Sequence, residues 1–230
     1  MNERRELILK IIINEHVITG SPVGSSVLVD KYKLNMSSAT VRNEMAELEE
    51  DGYITQPHTS AGRIPTEKAY DLYISALPEN VKLKDSEIEN FRNAFKKDNE
   101  ERENFKHTAK ALAGISNMAV FWAFHKHNLY YTGISNLFQQ PEFQQSNLIY
   151  DISAIIDRMD EIIEEIFEDI KGGPQIMLGS ENPFGSFCSV ILTKYKLKEN
   201  IGMFGILGPI RMDYEKNLAL MKYINSIICE

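Results

Sequence analysis

Ser38, Thr40, Arg42 and Asn43 lie within one short stretch, and each carries a group that a base edge or a phosphate can take up. An arginine guanidinium gives a fork of donors to guanine, an asparagine amide pairs both ways with adenine, and hydroxyls bond to bases or phosphate. A second cluster follows at His58, Thr59, Ser60 and Arg63, set around Ala61 and Gly62. Small polar groups, a glycine and an arginine suit close approach to a sugar-phosphate backbone. Arg63 also has the reach to enter a minor groove.

The spacing around these residues predicts the elements that must hold them. Leu7, Ile8, Ile11 and Ile12 form one apolar face at helical spacing, and Gly20, Ser21 and Pro22 end that segment. A short helix is expected from Ser25 to Tyr32, with Val27 and Leu28 inward, and a turn from Lys33 to Met36. A third helix starts at Ser37 or Ser38, either of which can accept a bond from a free backbone N–H. It carries Val41, Met45 and Leu48 as its buried stripe, and Gly52 stands where a helix C-terminal glycine belongs. The stripe therefore turns Ser38, Thr40, Arg42 and Asn43 outward. A strand at Tyr53–Gln56, turn formers from Pro57 to Gly62 and a strand at Arg63–Ile64 make a hairpin; Pro65 ends it and Thr66 caps a helix through Leu77. Three helices and a hairpin over residues 1–77 are a winged helix-turn-helix, whose third helix lies in the DNA major groove.

Residues 78–230 have another pattern. After a linker at Pro78–Lys84, a polar helix carries Ile88, Phe91 and Phe95 on one face, and another spans Phe105–Ser116, completing a helical lead-in over 78–117. Strands are expected at Met118–His125, Asn128–Ser135, Gln175–Leu178, Phe187–Tyr195 and Ile201–Leu207. A helix from Asn147 to Ile170 breaks at Gly172, Gly173 and Pro174, and a last one runs from Tyr214 to Ile228. Strands grouped with flanking helices indicate an α+β domain with an antiparallel sheet.

Composition narrows the function classes. With 43% hydrophobic residues, the 230-residue chain can bury a core. Two cysteines make no disulfide framework and fit a reducing cytosol. No apolar run resembles a signal peptide or approaches the ~20 residues of a membrane span, so a cytoplasmic protein without membrane contact is expected. The net charge of −8 argues against a simple nucleic-acid binder. Up to residue 76 there are eight Lys/Arg against eleven Asp/Glu, but five of those acids fall between Glu44 and Asp51, on the end of the third helix expected to point away from DNA. Acids so placed also repel misplaced phosphate. The same order of elements serves elsewhere for protein docking or dimerisation, and that alternative stays open here.

The residues nevertheless resemble one family closely. Pro22-Val23-Gly24-Ser25, Ser38-Ala39-Thr40-Val41-Arg42-Asn43-Glu44-Met45, Gly52-Tyr53 and, most specifically, Pro57-His58-Thr59-Ser60-Ala61-Gly62-Arg63-Ile64-Pro65-Thr66 are similar to the N-terminal domain of HrcA, the heat-inducible transcription repressors of bacteria. Gly133-Ile134-Ser135-Asn136-Leu137, Gln140-Pro141-Glu142-Phe143, Gly179-Ser180-Glu181-Asn182-Pro183 and Gly205 through Tyr214 resemble blocks of its C-terminal part. The resemblance implies a winged helix followed by a GAF-like domain, binding as a homodimer to the double-stranded inverted repeat CIRCE upstream of chaperone operons, and dependence on a GroEL-type chaperonin for activity. It implies operator contact by Ser38, Thr40, Arg42, Asn43 and Arg63. Typical members are about a hundred residues longer; the step from His125 to Tyr130 is where their inserted dimerisation segment is missing, which leaves the winged-helix domain or the GAF-like sheet as the alternatives for dimerisation.

Other signals carry less. His125 and His127 suggest half a metal site, but nothing in sequence completes it, and no metal or cofactor is expected. Cys188 reads as core and Cys229 as a terminal thiol without function. Asp213 is expected to cap the last helix and Arg211 to make a structural salt bridge. The acids from Asp157 to Asp169 form a solvated helix face. Trp122 reads as sheet core or as the lining of a GAF-type pocket. The competing readings are therefore a ligand-sensing regulator with a metabolite in the second domain, and a protein-docking adaptor; no nucleophile–base pair suggests an enzyme.

Overall fold

A computed structural model describes residues 1–79, 81–95, 100–125, 128–144 and 146–229, and the chain parts after Leu77 into two units, Met1–Leu77 and Pro78–Glu230. In the first, α1 (Glu3–Thr19) is capped by the Asn2 side chain, which accepts from the Arg5 N–H at 2.9 Å, and ends at Gly20 in the left-handed conformation. It is followed by α2 (Ser25–Tyr32), α3 (Ser38–Glu50), a two-stranded antiparallel ribbon of β1 (Ile54–Thr55) and β2 (Ile64–Pro65), and α4 (Glu67–Ser75). Because α1 packs on α2, α3, β2 and α4, its burial spreads over Ile8, Leu9, Ile11, Ile12 and Ile13 rather than one narrow stripe. Leu7, expected on the apolar face, falls outside that arc and is 48% exposed.

The interior of this unit also takes in a carboxylate. Glu15 on α1 is buried and accepts from Lys31 Nζ at 2.6 Å and from the Tyr32 hydroxyl at 2.7 Å, tying α1 to α2. The hydrogen bond from Lys31, with that from Tyr32 second, holds the Glu15 carboxyl below its ordinary range, and the same contact pushes the Tyr32 phenol up to about 12. Thr66 stands at the cap position of α4, but its hydroxyl does not cap the helix. It donates to the carbonyls of Gly52 and Tyr53 and so fixes the turn leaving α3.

The second unit is mixed helix and sheet. Helices α5 (Asp85–Ala94) and α6 (Glu101–Ser116) precede β3 (Ala119–His125) and β4 (Asn128–Thr132); α7 (Ile134–Phe138), α8 (Ser146–Asp157) and α9 (Met159–Ile166) follow; β5 (Gln175–Leu178), β6 (Cys188–Leu197), β7 (Asn200–Pro209) and α10 (Tyr214–Cys229) complete it. The five strands form one antiparallel sheet in the order β4-β3-β7-β6-β5. Period-two alternation sends Ala119, Phe121 and Ala123 of β3 into a core with Ile152, Ile163 and Phe184. Trp122, between them in the chain, stacks on Phe204 at 4.5 Å and on Phe105 at 5.0 Å, and its indole N–H donates to the Tyr195 hydroxyl at 3.0 Å. It is a sheet-core residue.

Two expectations for this unit are corrected. The strand expected to reach Ser135 stops at Thr132, because Gly133 turns left-handed at φ 74° and α7 begins at the next residue. A Cβ at Gly133 would sit 2.5 Å from the Met118 carbonyl oxygen, so glycine is required there for packing as well as for its backbone angle. The helix expected to be continuous from Asn147 to Ile170 is two, broken at Arg158 between α8 and α9. Asp213 does cap α10, accepting from the Lys216 N–H at 3.0 Å.

Candidate nucleic-acid interface

The helix α3 is capped by Ser37, whose hydroxyl accepts from the Thr40 N–H at 3.1 Å; of the two serines able to cap it, this is the one used. Val41, Met45 and Leu48 are buried along its inner side. Arg42 and Asn43 are exposed on its outer side, so the apolar stripe decides which residues face out. Ser38 and Thr40 are half-buried and already bonded: the Ser38 hydroxyl meets Ser25 Oγ at 3.0 Å, joining the first turns of α2 and α3, and the Thr40 hydroxyl meets Ser37 Oγ at 2.9 Å.

The ribbon tip stands beside this helix. His58, Thr59 and Ser60 are exposed there. Arg63 is not at the tip: its backbone N–H and carbonyl pair with Val23 at 2.9 and 2.8 Å, and its Nε donates to Glu49 Oε2 at 2.8 Å. Gly62 passes so close to Val23 that a Cβ would lie 2.5 Å from its carbonyl. A groove of about 360 Å³ results, bordered by Gly24, Ser25, Arg42, Gln56, Ser60 and Arg63 among others. The structure thus brings Arg42, Ser60 and Arg63 around one depression, and Ser38 reaches its border only through the bond to Ser25.

The acidic run on α3 is largely matched by cations. Glu44 meets Arg4 and Arg5, each at 3.2 Å; Glu47 also pairs with Arg5, and Asp51 lies 3.6 Å from it. Glu49 differs from the others in turning to Arg63, toward the ribbon rather than away from it. The sequence pattern places Glu49 with the acids at the end of α3 expected to point away from DNA, and it does not single out Gln56. The signal that could have found both is the pairing of one long acid before Gly52 with an amide and an arginine flanking the hairpin tip.

Elsewhere the weaker candidates resolve into structure. Cys188 is buried, and burial pushes its thiol up to about 12, too high for a thiolate nucleophile near neutrality. His125 is exposed at the end of β3, and no group of three His, Cys, Asp or Glu able to hold a metal ion occurs among the described residues. His127 and the side chain of Cys229 lie outside what is described. Arg211 pairs with Glu142 and donates to Gln140 Oε1 at 2.9 Å, as a structural salt bridge would. Among the described residues, no helix is long and apolar enough to cross a membrane.

Comparison with known proteins fits this geometry into a family. The family model described as HrcA protein C terminal domain matches residues 34–218. The chain belongs to the HrcA family. The heat-inducible transcription repressor HrcA of Carboxydothermus hydrogenoformans is 25% identical over 334 aligned positions, covering 100% of this chain and 98% of that protein. With 230 residues here, at least 104 of those positions have no counterpart in this chain, in line with the shortening expected from sequence. The repressor of the same name from Acetivibrio thermocellus is 44% identical over 120 residues, which are 52% of this chain and 34% of that protein. Among solved structures, one described as a hypothetical protein at 2.2 Å resolution superposes with a TM-score of 0.84 at 18% identity, over 100% of this chain and 98% of that one, so the HrcA-family chain shares its fold.

Proposed function

We propose that this HrcA-family chain is a heat-inducible transcription repressor of chaperone operons. It acts by binding and has no catalytic step. The first unit is a winged helix: α3 lies in the major groove and the ribbon is the wing. Arg42 and Asn43 read base edges, Ser38 and Thr40 face phosphate at the start of α3, and His58, Thr59 and Ser60 meet the backbone, with Arg63 bordering the same groove. The second unit is a GAF-like domain. The operator is the inverted repeat CIRCE, bound by a homodimer because a two-fold operator calls for a two-fold protein. A GroEL-type chaperonin keeps the repressor active, and warming empties the DNA-competent state.

The observation that carries this reading is the outer face of α3. Two exposed base-reading side chains, Arg42 and Asn43, stand opposite the buried stripe, while Glu44, Glu47 and Glu49 on the same helix and Asp51 just after it are matched by arginines of this unit. Pairing removes much of the repulsion that the negative net charge would otherwise present to phosphate.

The test is an anisotropy titration with a labelled CIRCE duplex and a scrambled duplex of the same composition. The inverted repeat should bind at least ~1,000-fold more tightly than the scrambled one, with affinity falling linearly in log salt. Equal affinity for the two duplexes would overturn the reading. Affinity flat in salt would point to protein docking instead.

A further inference from the structure

One carboxylate holds both legs of the ribbon. Glu49, near the end of α3, accepts from the Gln56 backbone N–H through Oε1 at 3.1 Å and from Arg63 Nε through Oε2 at 2.8 Å. Gln56 leaves β1 and Arg63 enters β2, so the two bonds close across the base of the tip loop. Gln56 continues the connection: its side-chain Nε2 donates to the Thr59 carbonyl at 3.0 Å and to the Ala61 carbonyl at 2.9 Å. Arg63 continues it on the other side through its two backbone bonds to Val23, just before α2. From Glu49 the chain of bonds reaches the carbonyls on either side of Ser60.

We propose that Glu49 is a positioning residue that ties the ribbon tip to α3, so that His58–Ser60 and Arg42–Asn43 meet the operator as one rigid reader. Arg63 acts through Glu49 and not as a direct DNA contact. The inference rests on the DNA-reading face proposed above. Its physical basis is that a side-chain network with every member paired limits the tip to one arrangement, and a tip so limited loses less conformational freedom on binding.

The sign of the Glu49 effect separates this role from plain electrostatics. Removing a negative charge beside DNA ordinarily strengthens binding. A clamp predicts the reverse. Glu49→Ala should weaken operator affinity about tenfold, and Gln56→Ala, which changes no charge, should weaken it by a similar factor. Hydroxyl-radical footprints of both variants should lose the protection from the ribbon and keep that from α3. In a double-mutant cycle, Glu49→Ala and Arg63→Ala together should cost no more than either alone. Glu49→Gln, which keeps an acceptor for the Gln56 N–H, serves as the folded control and should recover part of the loss.

Unchanged or tighter operator binding by Glu49→Ala, or additive losses in the cycle, would overturn the clamp and make Arg63 a direct contact. Should Glu49→Ala fail to fold, Gln56→Ala and Glu49→Gln decide: wild-type footprints from both would overturn the clamp equally. Failure of the underlying reading looks different, since unmodified protein would then not distinguish the inverted repeat from the scrambled duplex.

Discussion

The two units use the same set of side chains for different ends. In the first, Glu49, Arg63 and Gln56 hold a surface ribbon. In the second, Glu142, Arg211 and Gln140 hold a turn against the sheet: Arg211 pairs with Glu142 and Gln140, while the Gln140 amide donates to the Asn117 and Asn136 carbonyls, each at 3.2 Å. Asn136 extends this network to the carbonyls of Ala113 and Met118. The difference is burial. The Arg211 side chain is 10% exposed, against 21% for Arg63. A buried arginine that loses its acid leaves an uncompensated charge, whereas a half-buried one rehydrates. The same chemistry should therefore govern stability in the second unit and DNA contact in the first.

The largest effect expected from this comparison is on stability. Glu142→Ala removes an acid partner of the buried Arg211, which keeps its bond to Gln140, and should cost ~2–3 kcal/mol, below a fully broken buried pair because Glu142 is itself 31% exposed. Thermal and urea unfolding measure it; a loss below ~1 kcal/mol would mean that burial does not separate the two networks. Next comes Arg42→Ala, expected to lower operator affinity by ~1–3 kcal/mol and relax selection at one base position, with the melting temperature unchanged because Arg42 is exposed. Ser37→Ala removes the cap of α3 and should cost ~1 kcal/mol of stability in the first unit, seen by chemical unfolding.

The smallest effect is a pH dependence. Glu15 is buried in the first unit, and its carboxyl lies below the ordinary 4.5 because Lys31 and Tyr32 bond to its charged form. The unfolded chain thus binds more protons in the acid range than the folded one. The Glu15 contribution is complete above the ordinary value and is lost as pH falls through the lower, folded one. Urea midpoints measured between neutral and acid pH should decline less steeply for Tyr32→Phe than for the unmodified protein. Identical slopes would remove Glu15 from the account.

Local periodicity made the scaffold of the candidate interface legible. The Val41, Met45 and Leu48 stripe, the glycine at Gly52 and the hairpin formers around Gly62 are all signals spread over a few residues, and the structure places each where spacing puts it. What spacing could not supply is pairing across distance. Glu49 turns to the ribbon because it pairs with Arg63, 14 residues on in the chain, and the strand from Asn128 stops early because Gly133 must clear the Met118 carbonyl. The break at Arg158 between α8 and α9 has no glycine or proline to announce it. Leu7 is exposed because the partners of α1, and not its own period, set the arc that is buried.

Which surface meets the operator decides whether the outer face of α3 is a DNA reader. Amide hydrogen exchange of the full chain, with and without a CIRCE duplex, measures this directly. Added protection at Ser37–Asn43 and at His58–Ser60, with α4 unaffected, is the result predicted here. Protection confined to the second unit, or none on α3, would contradict it.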